Sequence, residues 1–147
     1  MKKLCLSCLT LLWLAGCSSS PSDTKTTVCT LSQNGVSIKT TFEHDGIKIL
    51  KQTSVNTIDL ETVGISQEEL QSLSDATGEV YNAVEGMDYK IEFADKTAVE
   101  TTIIDYSKVD IDELQEIGVV EPGDVDYIGI EQTIELNENS GFTCTEK

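Results

Sequence analysis

The sequence predicts an α+β fold: an antiparallel β-sheet with helices packed on one face. Three observations carry this. Past residue 26 the chain alternates apolar and polar side chains with period two, broken by Asn-Gly and Asp-Gly pairs. Between Ser66 and Gly86 the apolar spacing lengthens to that of a helix. A second alternating stretch follows, and then two shorter segments with helix-start and helix-stop residues.

The first three strands read as a meander. Cys29 and Leu31 share a face ahead of Asn34-Gly35, a pair that tolerates the positive φ angles of a two-residue hairpin turn. Val36, Ile38, Thr40 and Phe42 alternate with Ser37, Lys39, Thr41 and Glu43, and Asp45-Gly46 offers a second turn of the same kind. Ile47 to Asp59 continues as a long strand rich in Ile, Val and Thr, which pack well on a pleated surface.

Ser66-Gln67-Glu68-Glu69 has the spacing of a capping box, in which the serine hydroxyl and the glutamate carboxylate satisfy each other's backbone N–H. Leu70, Leu73, Thr77, Val80, Tyr81 and Val84 then recur as one helical stripe, predicted to cover the sheet, and Gly86 ends the helix. Tyr89, Ile91 and Phe93 alternate with Asp88, Lys90 and Glu92; Ala94-Asp95-Lys96 turns the chain, and Val99 to Tyr106 returns to complete a β-hairpin. Asp110-Ile111-Asp112-Glu113 starts a short helix that stops at Gly118, and Pro122-Gly123 marks a turn. The isoleucines between Ile128 and Leu136 suit a strand. Ile130 and Ile134, four apart and followed by Asn139-Ser140-Gly141-Phe142, suit a helix with a glycine cap, and helix is the reading adopted.

The N-terminus sets the address. Met1-Lys2-Lys3 is basic, and Leu4 to Ala15 is apolar but shorter than the roughly 20 residues that span a bilayer. This is the order of a secretory signal peptide, residues 1–16. Leu14-Ala15-Gly16-Cys17 reads as a lipobox: small residues give a peptidase access, and the Cys17 thiol accepts a diacylglyceryl group. Residues 17–25, serine-rich and aperiodic, read as a flexible tether, and 26–147 as a single α+β domain. The expected location is the extracytoplasmic face of the cell membrane or outer membrane.

Cleavage leaves eight lysines, no arginine and 26 acidic residues, a formal charge of −18. Such a chain repels phosphate backbones, which argues against nucleic acid as a partner. It is also not drawn to anionic headgroups by charge, so the lipid on Cys17 must anchor it. Cys5 and Cys8 form a Cys-x-x-Cys inside the discarded signal. Cys29 and Cys144 remain, and an even pair in an exported chain reads as a disulfide, with free thiols as the alternative.

Catalytic signals are sparse. His44 is the sole histidine and sits beside a turn, where a polar side chain is usually solvated. A metal centre built on imidazole needs more than one. No Gly-x-Ser-x-Gly elbow or phosphate loop occurs. Asp105, Asp110, Asp112 and Glu113 cluster, as do Asp124 and Asp126, without the spacing of a calcium loop. The expectation is therefore no catalytic residue, metal or cofactor. The function expected is a non-enzymatic envelope module binding a protein or small ligand, against the alternative of an envelope hydrolase with a site of scattered carboxylates.

The lipobox, Thr27-Val28-Cys29-Thr30, Tyr81-Asn82-Ala83-Val84-Glu85-Gly86-Met87, Ile104-Asp105-Tyr106-Ser107-Lys108-Val109-Asp110 and Ser140-Gly141-Phe142-Thr143-Cys144 together resemble the YehR-like lipoproteins. The resemblance implies a lipoprotein with a compact α+β domain and supplies neither substrate nor catalytic residues. Replacing Cys17 with Ala is expected to abolish lipid transfer and release the protein from the membrane fraction. Mass spectrometry and fractionation check this, and a variant of unchanged lipidated mass would refute it.

Overall fold

The computed structural model describes residues 23–147. The signal peptide, Cys17 and most of the tether lie outside them. Ten elements follow: β1 (Lys25–Gln33), β2 (Val36–His44), β3 (Ile49–Asp59), α1 (Leu60–Val63), α2 (Gln67–Tyr81), β4 (Met87–Ala94), β5 (Thr97–Asp105), α3 (Ile111–Glu116), α4 (Ile130–Asn139) and β6 (Thr143–Glu146). The strands form one six-stranded sheet in the order β4-β5-β3-β2-β1-β6, every neighbouring pair antiparallel. It is an open α+β sheet, as expected, with β6 and the one-turn α1 added to the predicted elements.

The registers place Cys29 opposite Thr40, Thr40 opposite Ser54, Ser54 opposite Thr102 and Thr102 opposite Tyr89. Because side chains alternate across a strand, this row fixes which residues share a face. Thr27, Phe42, Ile58, Met87, Ala98 and Ile104 fall on the same face and are buried. All the helices described pack there. Leu60 and Leu70 cover Ile58 and Ala98. Val84, Val109 and Leu114 cover Met87 and Ile104. Ile130 covers Cys29, Phe42 and Ile49, with Ile134 and Phe142 packed alongside.

Local chemistry accounts for the boundaries. Asn34 and Gly35 take φ of 50° and 81°, as the hairpin requires. Gly35 is needed twice over, since a Cβ there would lie 2.7 Å from Thr62 Cβ of α1. Asp59 caps α1 by accepting from Thr62 N at 2.8 Å. The capping box of α2 forms in full, with Glu69 N donating to Ser66 Oγ and Ser66 N to Glu69 Oε2. At the end of α4, Gly141 (φ 92°) donates to Glu138 O and Phe142 donates to Asn137 O, a Schellman cap that turns the chain into β6.

Three expectations are corrected. Asp45 does not have positive φ, so Asp45-Gly46 is not a two-residue turn. Instead Asp45 Oδ1 accepts from Ile47 N and Lys48 N, closing a wider loop beside a bulge at Glu43/His44. The predicted order ends on two short helices, whereas the C-terminus adds an edge strand paired with β1 from Thr27–Glu146 to Thr30–Thr143. The second helix ends at Tyr81 and not at Gly86; along the predicted stripe Leu70 on α2 and Val84 in the turn after it pack inward, but Leu73 is 61% exposed and Val80 46%. The inward position next to Leu70 is taken by Ser74, which is 2% exposed. Its small side chain sits where the helix packs against β4, and it donates to Glu100 of β5 at 3.2 Å.

This orientation has a measurable consequence. Leu70→Ala should destabilise the fold by about 2–5 kcal/mol through loss of buried methyl groups. Leu73→Ala should stay within about 0.5 kcal/mol, as for other exposed positions. Denaturant unfolding of the two variants decides it, and equal losses would mean that α2 is rotated.

Candidate functional site

Cys29 and Cys144 stand directly opposite each other across β1 and β6, with Cα atoms 4.0 Å apart and the sulfurs bonded. Cys29 is wholly buried under α4. The bridge closes a chain segment of 115 residues, for which the loop-entropy model gives about 4–5 kcal/mol. It ties the four-residue edge strand β6 covalently to β1, alongside the ladder between them.

His44 is not solvated: it is 2% exposed. Its Nδ1 accepts from Gly46 N at 3.2 Å, which leaves Nε2 to donate to Thr27 Oγ1 at 3.0 Å in the neutral ring. Both nitrogens are engaged in holding the β2–β3 loop against β1. The period-two pattern already put residue 44 on the core face with Thr40 and Phe42, a signal outweighed in the sequence by its place next to a turn.

The carboxylate cluster around Asp105 is likewise occupied. Asp105 Oδ1 accepts from the Ser107 hydroxyl at 2.6 Å, and Oδ2 pairs with Lys108 Nζ at 2.9 Å. The Ser107 hydroxyl bond, then the Lys108 contact, hold this carboxyl down to about 2. Asp110 caps α3 by accepting from Asp112 N at 2.9 Å. Among the described residues no three His, Cys, Asp or Glu side chains are grouped so as to hold a metal ion.

A part-buried polar network absent from the sequence reading lies beneath α2. Tyr89 donates to Glu100 Oε1 at 2.7 Å, and Ser74 donates to the same oxygen. Burial, then the Glu100 hydrogen bond, push the Tyr89 phenol up to about 12. Burial does the same to Tyr106, also to about 12.

The second acidic pair, Asp124 and Asp126, borders a hollow of about 470 Å³ at one end of the sheet, lined also by Gly46, Ile47, Val125, Tyr127 and Glu131. Two backbone hydrogen bonds join its walls, Ile49 N to Ile128 O and Ile130 N to Ile47 O, and together they make an antiparallel bridge between Lys48 and Gly129. Ile49 and Ile130 are buried, so the walls rest on the core. Ile47, Val125 and Tyr127 are nevertheless 68%, 46% and 50% exposed. Three large apolar side chains thus stand in water beside Asp124, Asp126 and Glu131. Sequence reasoning found the two aspartates but not the hollow, because Ile47 is some 80 residues away along the chain.

These perturbed groups predict a pH dependence. A depressed carboxyl stabilises the fold above its ordinary value of 3.8, and the contribution is lost as pH falls through about 2. The stability gap between the parent and Asp105→Asn should therefore be open at pH 6 and close toward pH 2. A raised phenol stabilises below its ordinary value of 10, and that contribution is lost as pH rises through about 12. Spectrophotometric titration should show one fewer phenolate forming near 12 in Tyr89→Phe.

Comparison with known proteins places the chain. It is 34% identical to "Uncharacterized lipoprotein Lmo0207" of Listeria monocytogenes over 84% of its length and 82% of the relative. It is 30% identical to "Uncharacterized lipoprotein YehR" of Escherichia coli over 71% of its length and 67% of that protein. The solved NMR structure of E. coli YehR superposes with a TM-score of 0.68 at 26% identity, covering 84% of this chain and 92% of that one. An NMR structure of a protein from Streptococcus pneumoniae shares the fold at 16% identity and a TM-score of 0.53, covering 99% of this chain and 96% of the other. The profile of the family described as "Protein of unknown function (DUF1307)" matches residues 23–143, and the chain belongs to that family.

Proposed function

We propose that this protein is a lipid-anchored, non-enzymatic binding module of the bacterial envelope. The anchor is the lipid on Cys17. Relatives at 34% and 30% identity carry the name lipoprotein, in keeping with the lipobox. None of the described helices is long and apolar enough to cross a membrane. Residues 17–24 tether the domain to the membrane face, with β1 starting at Lys25.

The observation that carries the binding reading is the hollow where Ile47, Val125 and Tyr127 are exposed beside Asp124, Asp126 and Glu131. Water-exposed apolar groups on a rigid footing gain free energy when covered, about 25 cal/mol per Å² removed from water. The carboxylates select what covers them: a protein segment with an apolar side chain flanked by lysine or arginine. The chain's formal charge of −16, −18 after cleavage, adds long-range attraction for such a partner, which salt screens. The groups that would serve catalysis are committed elsewhere, His44 to a loop and Asp105 to Ser107 and Lys108.

The test uses the mature lipoprotein in detergent micelles and a labelled peptide with leucine between lysines. Tyr127→Ala should weaken binding about tenfold, equivalent to about 1.4 kcal/mol. Leu136→Ala, at an exposed apolar position on α4, should leave it unchanged. Raising salt should weaken binding to the parent protein. Equal affinities of the parent and Tyr127→Ala would exclude the hollow. Turnover of an envelope substrate, lost on changing His44 or a single carboxylate, would replace the binding reading with an enzymatic one.

A further inference from the structure

β4 ends the strand order, so one side of its backbone faces away from the sheet. The antiparallel ladder fixes which residues point outward. Gly86 O accepts from Asp105 N at 2.8 Å, so the residue before β4 is bonded inward. The alternation of the ladder then turns Asp88, Lys90 and Glu92 toward β5, and Tyr89, Ile91 and Phe93 outward.

Asn82 shows that this outward row accepts a strand-like partner. Its side-chain amide donates through Nδ2 to Tyr89 O at 3.1 Å and accepts through Oδ1 from Tyr89 N at 2.7 Å. One amide thus makes the pair of bonds that a neighbouring strand would make. It satisfies a single outward position. Among the described residues nothing takes the outward N–H and C=O groups of Ile91 and Phe93.

A groove of about 610 Å³ runs beside this edge, between Tyr89–Ile91 and the outer side of α2. Gly78 lines it next to the Tyr89 ring. The α2 wall carries Asp75 and Glu79, and the helix has no basic residue from Gln67 to Tyr81. The rim cation Lys90 is paired with Glu92 at 2.9 Å.

We propose that β4 and α2 form a second recognition site, distinct from the hollow at Tyr127, which takes an extended basic segment of another protein as a seventh strand. The segment's main chain pairs with Ile91 and Phe93, Asn82 marks where the pairing stops, and Asp75 and Glu79 attract lysine or arginine side chains on its α2 side. Backbone pairing supplies affinity and register, and the two carboxylates supply selectivity. A second copy of this chain is the wrong occupant by charge, because two acidic surfaces would be brought together.

The experiment uses the mature lipoprotein in micelles and two synthetic peptides of alternating lysine and threonine. They are identical except that one is N-methylated at every residue, which removes the N–H donors along both edges but no charge. Hydrogen exchange of the Ile91 and Phe93 amides should slow at least tenfold with the unmodified peptide. It should not change with the N-methylated one. Asp75→Lys combined with Glu79→Lys, both exposed and outside the core, should weaken the unmodified peptide about tenfold or more, whereas Tyr127→Ala should not. Equal binding of the two peptides would overturn the proposal, as would unchanged exchange at saturation. Protection of Ile91 and Phe93 that rises with protein concentration without peptide would also overturn it, by making a second copy the occupant.

Discussion

The sheet buries one face only, and the rest of the molecule is arranged around that asymmetry. Six strands present more surface than four helices, of 4, 15, 6 and 10 residues, can cover twice. All the helices described therefore gather over the face that carries Cys29, Phe42, Ile58 and Ile104, in three apolar clusters instead of one continuous core. The open face carries Lys39, Thr41, Thr53, Val55, Thr57, Val99 and Thr101, β-branched or charged residues that suit a strand surface in water. A one-residue slip in any register would exchange the two sets, so the period-two pattern is as much a constraint on pairing as on burial.

The same asymmetry explains where the polar chemistry goes. Burying polar groups unpaired on the covered face is costly, and most of those described find partners there, Asn56 Oδ1 being an exception. Tyr89, Glu100 and Ser74 satisfy one another under α2, and Thr27, His44 and Gly46 do so beside β1. Tyr106 reaches Gln52 Oε1 at 3.1 Å between two of the clusters. These groups make the fold specific; they do not converge on a common reacting point. The sites open to a partner lie where the covered layer ends, at the loop beside α4 and at the free edge of β4.

Charge acts at a different range. The four ion pairs described hold lysines that are half or more exposed, so each contributes little to stability. The remaining carboxylates give the chain a net negative charge that repels like-charged surfaces. That repulsion favours basic partners over a second copy of the chain at both of the sites proposed above.

The sequence by itself determined the elements that rest on local chemistry. The Asn34-Gly35 turn, the Ser66–Glu69 capping box, the Asp110 cap and the Gly141-Phe142 stop each depend on groups a few residues apart, and each formed as read. The alternating runs of β2, β4 and β5 were legible for the same reason, as was membership of a lipoprotein-like family. Only the tertiary structure decided matters that turn on distant contacts. Thr143-Cys144-Thr145 is too short to show a period, and it becomes a strand because β1 offers it a ladder and Cys29 a bond. Leu73 lies within the apolar stripe yet faces solvent, because the inward side of α2 is taken by Leu70 and by Ser74, which is bonded to Glu100 of β5. His44 is buried because Thr27, 17 residues away, provides the partner that makes burial affordable. The hollow at Tyr127 and the groove beside β4 exist for a similar reason. Each lies between walls that belong to separate segments of the chain, and no local pattern encodes the distance between two surfaces that meet only after folding.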